Sequence, residues 1–367
     1  MSGTSMDGID VALVKTDGVS LVEFGPTLAV EYPVRIRRRI EQVLDDAAGI
    51  QSREQRPGRT GELERELTDR HADAVIRFMA IHGLTRKDVD LLGFHGQTVV
   101  HRPDDGLTVQ LGDGLRLARA TGIDVVFDMR AEDMVAGGQG APLVPVFHQA
   151  LAKSARIKEP ACFVNIGGIS NISYVDGEQL IAFDSGPGNA LIDQWVQVKG
   201  GVPYDQGGQI ASEGAIIAPL VDQYLTVSYF KKPGPKSLDR GDFAPLDPSL
   251  AELSDGARTL AHVTAASIYN CTEHLPKFPK TWILCGGGRL NNSIVDDIRI
   301  LAADSGGEVI LAEDAELQGD MLEAQAFGYL AVRSQAGLPL TFPTTTGCNK
   351  PTTGGTYVAA ESVSEIT

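Results

Sequence analysis

Residues 161–171, ACFVNIGGISN, decide how this sequence is read. The apolar run Cys162–Ile166 fits a buried strand, and two glycines follow it with a hydroxyl and an amide close behind. Glycines let backbone N–H groups approach an anion, and the polar side chains add donors. The same parts occur at the start of the chain, where GTSMDG (3–8) is followed by the apolar run Ile9–Val14. Taken alone, GTSMDG is equally well read as a hairpin turn with an Asx-type hydrogen bond from Asp7. A second turn of this kind at the opening of the second half is what a duplicated lobe would produce.

The rest of the chain supports that duplication. Short apolar runs suited to buried strands (Leu91–Phe94, Thr108–Leu111, Ile123–Phe127, Leu180–Phe183, Trp282–Cys285, Val309–Leu311) fall in two sets, before and after about residue 130. Helical patterns lie between them at Glu62–His82, Arg258–His274 and Asp314–Arg333. The expected fold is α/β, two similar lobes with a cleft between them. At 367 residues the chain exceeds the usual size of a single core.

Composition prunes the function classes. With 32 Lys+Arg against 48 Asp+Glu the net charge is −16, a field that repels nucleic acid and anionic membrane. The basic cluster Arg35, Arg37, Arg38 and Arg39 reads as the solvated start of a helix. Cys162, Cys271, Cys285 and Cys348 lack CxxC spacing and read as reduced thiols. No apolar stretch reaches membrane-spanning length and no signal pattern opens the chain, so a cytoplasmic protein is expected. GPKS at Gly234 lacks the spacing of a phosphate loop, no GxSxG or GxGxxG occurs, and His95 and His101 have no partner at zinc-ligand spacing.

Four loops of one kind remain: SGTSMDG (2–8), NIGGISN (165–171), FDSGPGN (183–189) and CGGGRLNN (285–292). The first can wrap phosphate oxygens through Gly3, Thr4 and Ser5 while Asp7 holds a magnesium-bound water. The fourth follows the strand Trp282–Cys285 and opens a helix, where adenosine or phosphates can rest. Together these loops point to a nucleotide held between two lobes.

The spacing of these loops resembles the actin, Hsp70 and sugar-kinase superfamily. More narrowly, the chain is similar to the anhydro-N-acetylmuramic acid kinases, on MSGTSMDGID, GFHGQTVVHRP, FDMRAEDMVAGGQGAPLVP, NIGGISNIS, FDSGPGNALID, CGGGRLNN and MLEAQAFGYLA. These motifs run in the family's order from residue 1 to about residue 333. The resemblance implies two RNase H-like lobes with an ATP and sugar cleft: an N-terminal lobe over 1–130, a C-terminal lobe over 131–340, and a tail over 341–367 packing back on the first lobe. It also places a short strand ahead of SGTS, so that this turn would join the first two strands of a hairpin. That strand is missing from the sequence, and a late start or a truncation is the expectation. A homodimer is a further family expectation.

The same resemblance assigns residues. ATP, with magnesium, would be held by Gly3, Thr4, Ser5, Met6, Asp7, Gly8, Ile9 and Asp10, by Asn165, Gly167 and Gly168, and by Gly286 and Gly287. The magnesium ligands themselves are not assigned. The family reaction opens the 1,6-anhydro ring with water while O6 takes the γ-phosphate, so a carboxylate base is needed. Asp184 is the candidate; it lies too far from the helix expected near Asn189 to be an N-cap. Glu323 is expected to touch the sugar or to sit on a polar helix face. Arg130 would bind the lactyl carboxylate or pair with Asp128 or Glu132. His95 and Gln97 would contact the sugar or be satisfied core groups, and Asn171 and Arg289 are positional. Two alternatives stay open: another sugar kinase of the superfamily, or a nucleotide-dependent switch protein.

Overall fold

The structure, a computed structural model, describes residues 1–3, 6–238 and 241–360. The chain forms two compact units, Met1–Ala150 with Met321–Thr367, and Leu151–Asp320.

In the first unit, β1 (Gly8–Thr16) pairs antiparallel with β2 (Val22–Glu31). Helix α1 (Val34–Ala47) buries Ile36, Ile40, Val43 and Ala47; of the expected arginines Arg35 and Arg38 are exposed, whereas Arg37 and Arg39 are half-buried and Arg39 pairs with Glu62 and Glu66. Helix α2 (Thr60–Ile81) then leads to β3 (Leu92–Phe94) and the hairpin β4 (Gln97–Arg102)–β5 (Leu107–Leu111). Asp113 caps α3 (Gly114–Thr121) by accepting from the Arg116 N–H at 2.9 Å, before β6 (Val125–Phe127). Helices α4 (Ala131–Val135) and α5 (Pro145–Ser154) follow, the latter running across the division between the units.

The second unit is the clearer one. Strands β7 (Ala161–Ile166), β8 (Ile169–Asp176) and β9 (Gln179–Pro187) form an antiparallel meander. Helices α6 (Ala190–Gly200), α7 (Gln209–Ser212), α8 (Ala218–Leu225) and α9 (Leu253–Asn270) precede β10 (Thr281–Cys285), α10 (Asn292–Ala303) and β11 (Glu308–Leu311). The sheet order is β11-β10-β7-β8-β9, with β10 parallel to both β7 and β11, the RNase H-like arrangement. The central strands read as continuous apolar runs because both faces are covered. Val164, Ile166, Trp282 and Leu284 share one core with Trp195 of α6 and Leu260 of α9.

The chain then returns to the first unit with α11 (Leu322–Gln335), α12 (Pro343–Thr346) and β12 (Thr356–Val358), which pairs with β6 in a sheet of order β12-β6-β3. The sequence reading divides the chain at 130 and 340, whereas the compact units divide at 150 and 320. Helix α11 accounts for the second difference, because it packs on β1 and β3. The approach is close enough that a Cβ on Gly93 would lie 2.0 Å from the Phe327 carbonyl oxygen.

Between β1 and β3 lies an apolar cavity of about 400 Å³, lined by Ile9–Thr16, Leu91–Phe94, Phe78 and Val332. Met1 and Asp10 exchange backbone hydrogen bonds at 2.8 and 2.9 Å beside it, so Met1 continues the ladder on the free edge of β1.

Three local expectations are corrected. The helix expected from Asp314 starts at Leu322, because Glu316 (φ 59°) takes a left-handed conformation that ends the preceding turn. Only Gly167 and Gly168 of NIGGISN lie outside strands. The strand expected to end at Phe183 runs on to Pro187, with Ser185 bulged out of the ladder between Asp184 and Gly186.

Candidate active site

In the second unit β7 and β10 are parallel neighbours in register, Cys285 beside Asn165, so the loops that leave them open side by side at the carboxyl ends of the strands. Their glycines serve two purposes. A Cβ on Gly286 (φ 73°) would lie 2.3 Å from Asn165 Oδ1, and one on Gly188 would lie 2.1 Å from the Gly167 oxygen, so these two allow the loops to pack on each other. A Cβ on Gly167, Gly168 or Gly287 would meet nothing closer than 3.4, 3.7 and 3.8 Å. Those three keep the backbone open to an approaching group, as phosphate oxygens require.

The floor is braced: the Asn189 N–H donates to the Gly167 oxygen at 2.7 Å and the Gly188 N–H to the Gly168 oxygen at 3.0 Å. Arg289, almost fully buried, donates to the Gly286 oxygen at 3.0 Å and pairs with Glu313 at 2.6 Å and Asp320 at 2.8 Å. Its guanidinium is thereby spent on holding the turn.

Asp184 sits at the bulge of β9, opposite Asn171 of β8. Bulges re-aim side chains, and here the bulge sets Asp184 out of step with the buried residues that follow it. Residues 229–238 hold it from the other side. The Leu238 N–H donates to Oδ2 at 2.8 Å, the Asp184 N–H donates to the Lys236 oxygen at 3.0 Å, and the Tyr229 hydroxyl donates to the Asp184 carbonyl at 2.6 Å. Lys236 Nζ lies over the rings of Phe183 and Tyr229, at 5.3 and 4.6 Å from their centres, which fastens the segment. Sequence reading noted GPKS only as a failed phosphate loop. Nothing in its residue types announced that it fastens onto β9.

In the first unit the N-terminal loop is described in part. Thr4 and Ser5 lie outside the described residues. Met6 takes a left-handed conformation (φ 56°), Asp7 is exposed and accepts from the Tyr32 N–H through its carbonyl at 2.8 Å, and Ile9 belongs to the core. A Cβ on Gly8 would lie 2.6 Å from the Val30 oxygen, so β1 and β2 need a glycine there.

His95 Nδ1 donates to the Ser2 oxygen at 3.0 Å, and Gln97 Nε2 donates to the Gly3 oxygen at 3.2 Å, so both tie the loop down. Arg130 closes on His95, with Nη2 at 3.1 Å from Nε2, and donates to the Gly140 oxygen at 2.7 Å. Asp128 pairs with Arg53. Burial, then the neighbouring Arg130 charge, hold His95 well below the ordinary imidazole range, so Nε2 accepts. Glu323, in the first turn of α11, is reached by solvent yet crowded by protein, which raises its carboxyl against the opposing pull of Arg130.

Among the described residues no group of three or more His, Cys, Asp or Glu side chains could hold a metal ion. No helix among them is long and apolar enough to cross a membrane.

Similarity to known proteins extends over nearly the whole chain. The family model of anhydro-N-acetylmuramic acid kinase matches residues 1–360. A relative of that name from Rhizobium etli is 55% identical over 357 residues, covering 97% of this chain and 96% of the relative. One from Agrobacterium fabrum is 52% identical over 363 residues, covering 98% and 97%. Among solved structures, a ROK family glucokinase from Streptomyces griseus in complex with glucose and AMPPNP covers 88% of this chain and 95% of that one at 14% identity, with a TM-score of 0.38. The chain belongs to the anhydro-N-acetylmuramic acid kinase family.

Proposed function

We propose that this kinase opens the 1,6-anhydro ring of anhydro-N-acetylmuramic acid with water and phosphorylates O6, giving N-acetylmuramic acid 6-phosphate and ADP in the cytoplasm. The observation that carries the reading is Asp184, set at a strand bulge with one carboxylate oxygen held by a backbone N–H. A carboxylate fixed in this way can take a proton from water without turning away from it.

In the proposed reaction, water adds to the anomeric carbon from the face opposite the bridging oxygen, and its proton passes to Asp184. The C1–O6 bond breaks as the C1–OH bond forms. O6 then takes the γ-phosphoryl group in line and ADP departs. The open glycines Gly167, Gly168 and Gly287 would receive the nucleotide, with Asn165 and Gly286 shaping the turn beside them. Residues Gly3–Asp10 would meet the phosphates from the first unit, and Asp7 would hold a water of the magnesium ion. When bound, magnesium neutralises phosphate charge. Glu323, Arg130, His95 and Gln97 would line the sugar, His95 and Gln97 also anchoring the N-terminal loop.

The test is ADP release with Mg-ATP and a panel of anhydro-N-acetylmuramic acid, N-acetylmuramic acid, N-acetylglucosamine and glucose, the anhydro sugar in oxygen-18 water. Turnover with the anhydro sugar alone, with label at C1, is the expected result. Turnover with an ordinary hexose would discard the water-activating step, and turnover without sugar would make the protein a switch. In the same assay Tyr229→Phe, which removes the brace on the Asp184 carbonyl, is expected to lower kcat about tenfold with the KM for ATP unchanged. An unchanged kcat would mean that the 229–238 segment packs against Asp184 without positioning it.

A further inference from the structure

A second cavity, of about 400 Å³, lies wholly within the first unit beside His95. Its lining includes Phe94, Phe127, Gln110, Arg53 and Asp128. This volume falls in the range of small-ligand sites. Aromatic rings with a polar rim are the surface that the C–H face of a sugar prefers over water.

Two groups in it lack full satisfaction. Gln110 donates through Nε2 to Thr98 and Thr108 at 3.2 and 2.8 Å, while its Oε1 is buried without a partner. A buried amide oxygen without a donor costs free energy that a ligand N–H would recover. Arg53 donates to Asp128 through Nη2, and its other N–H groups have no acceptor among the described residues. Since a guanidinium carries five donors in a fork suited to carboxylates, most of its capacity is open.

The other arginines nearby are already spent. Arg56 is held by both oxygens of Glu64 at 2.9 Å and by the carbonyls of Arg53 and Gln55. Arg130 is closed on His95 and Gly140. Asp128 takes a left-handed backbone conformation (φ 57°), uncommon for a residue with a side chain, at the position that presents it to Arg53. Glu54, the other acid at the rim, is bonded to Ser52 and to its own backbone N–H.

We propose that this cavity receives the substituted side of the sugar and that Arg53 reads its carboxylate, with Gln110 accepting from the acetamido N–H. The proposal rests on the anhydro-N-acetylmuramic acid reading above and moves the carboxylate contact from Arg130 to Arg53. Asp128 then holds the guanidinium in place and shares it with the substrate through a different edge of the fork.

The test pairs one residue with one substrate group. Kinetics with ATP are measured for anhydro-N-acetylmuramic acid and for 1,6-anhydro-N-acetylglucosamine, the same ring without the lactyl acid. For R53Q, kcat/KM on the acid is expected to fall about 30-fold or more, chiefly through KM, while the neutral sugar changes by less than about threefold. Because R53Q strips Asp128 of its cation, the double variant R53Q/D128N is measured beside it and is expected to show the same selective loss. Equal losses on both sugars, or no loss on the acid, would overturn the role of Arg53. A wild-type enzyme inert on both sugars would instead overturn the kinase reading on which it rests.

Discussion

Asp184→Asn is expected to lower kcat by about 100-fold or more while leaving ATP affinity within about twofold. The substitution is nearly isosteric. The asparagine oxygen can keep the hydrogen bond from the Leu238 N–H, and the backbone bonds to Lys236 and Tyr229 do not involve the side chain. What is lost is the ability to take up a proton from water. A 100-fold loss corresponds to about 3 kcal/mol of barrier, more than the roughly 1 kcal/mol expected if the side chain were a helix cap. Isothermal titration with a non-hydrolysable ATP analogue and single-turnover kinetics with the anhydro sugar separate the two steps. Activity close to wild type would remove Asp184 from the mechanism. An equal loss of nucleotide affinity would make it a structural support of the loops after β7 and β10.

How much of this was legible in the sequence differs by element. Strands β7 and β10 were readable because both faces are buried, so CFVNI and WILC are continuous apolar runs with glycines at their ends. Strand β2 was not read, because VEFGPTLAVE is half-buried and carries a proline and a glycine, which look like loop punctuation. The bulge at Ser185 was equally invisible. Gly186 and Gly188 imitate a turn, although the first lies in β9 and the second allows close packing on Gly167. For the candidate site, local motifs show which residue types are present but not what they touch. His95 and Gln97 carry no sign that their partners are the carbonyls of Ser2 and Gly3, more than ninety residues away. Arg53 sits in a polar stretch with no motif at all, and only the folded chain brings it to Asp128.

Acidification from pH 7 to pH 5 is expected to destabilise the protein steeply, by about 2 kcal/mol per pH unit at the lower end. Three buried histidines set the sign. Burial lowers His71 and His148 to about 3, and burial together with the Arg130 charge holds His95 well below its ordinary value. In the unfolded chain each takes up a proton near pH 6.5, so below that pH the unfolded state binds more protons than the folded one. Their stabilisation is therefore present above pH 6.5 and lost as the pH falls, each contributing at most about 1.4 kcal/mol per unit. The acids work in the opposite direction. Burial, with Asp205 nearby, raises Asp193 to about 6, burial raises Asp128, and the crowding of protein around the solvent-reached Glu323 raises it too, so the folded state gains protons on these groups as the pH falls. Three histidines against fewer fully shifted acids leave a net loss.

Urea unfolding at pH 7.5, 6.5, 5.5 and 5.0 measures the slope directly. His71→Asn separates the contributions, since its amide can still donate to the Leu67 oxygen that His71 Nδ1 meets at 2.7 Å but cannot titrate. The variant should be less sensitive to pH by up to about one proton's slope. A flat stability profile in the wild type would mean that the buried carboxylates balance the imidazoles. A variant as steep as the wild type would place the sensitivity at His148 or His95, where a proton on Nε2 would sit against the Arg130 guanidinium and break that contact.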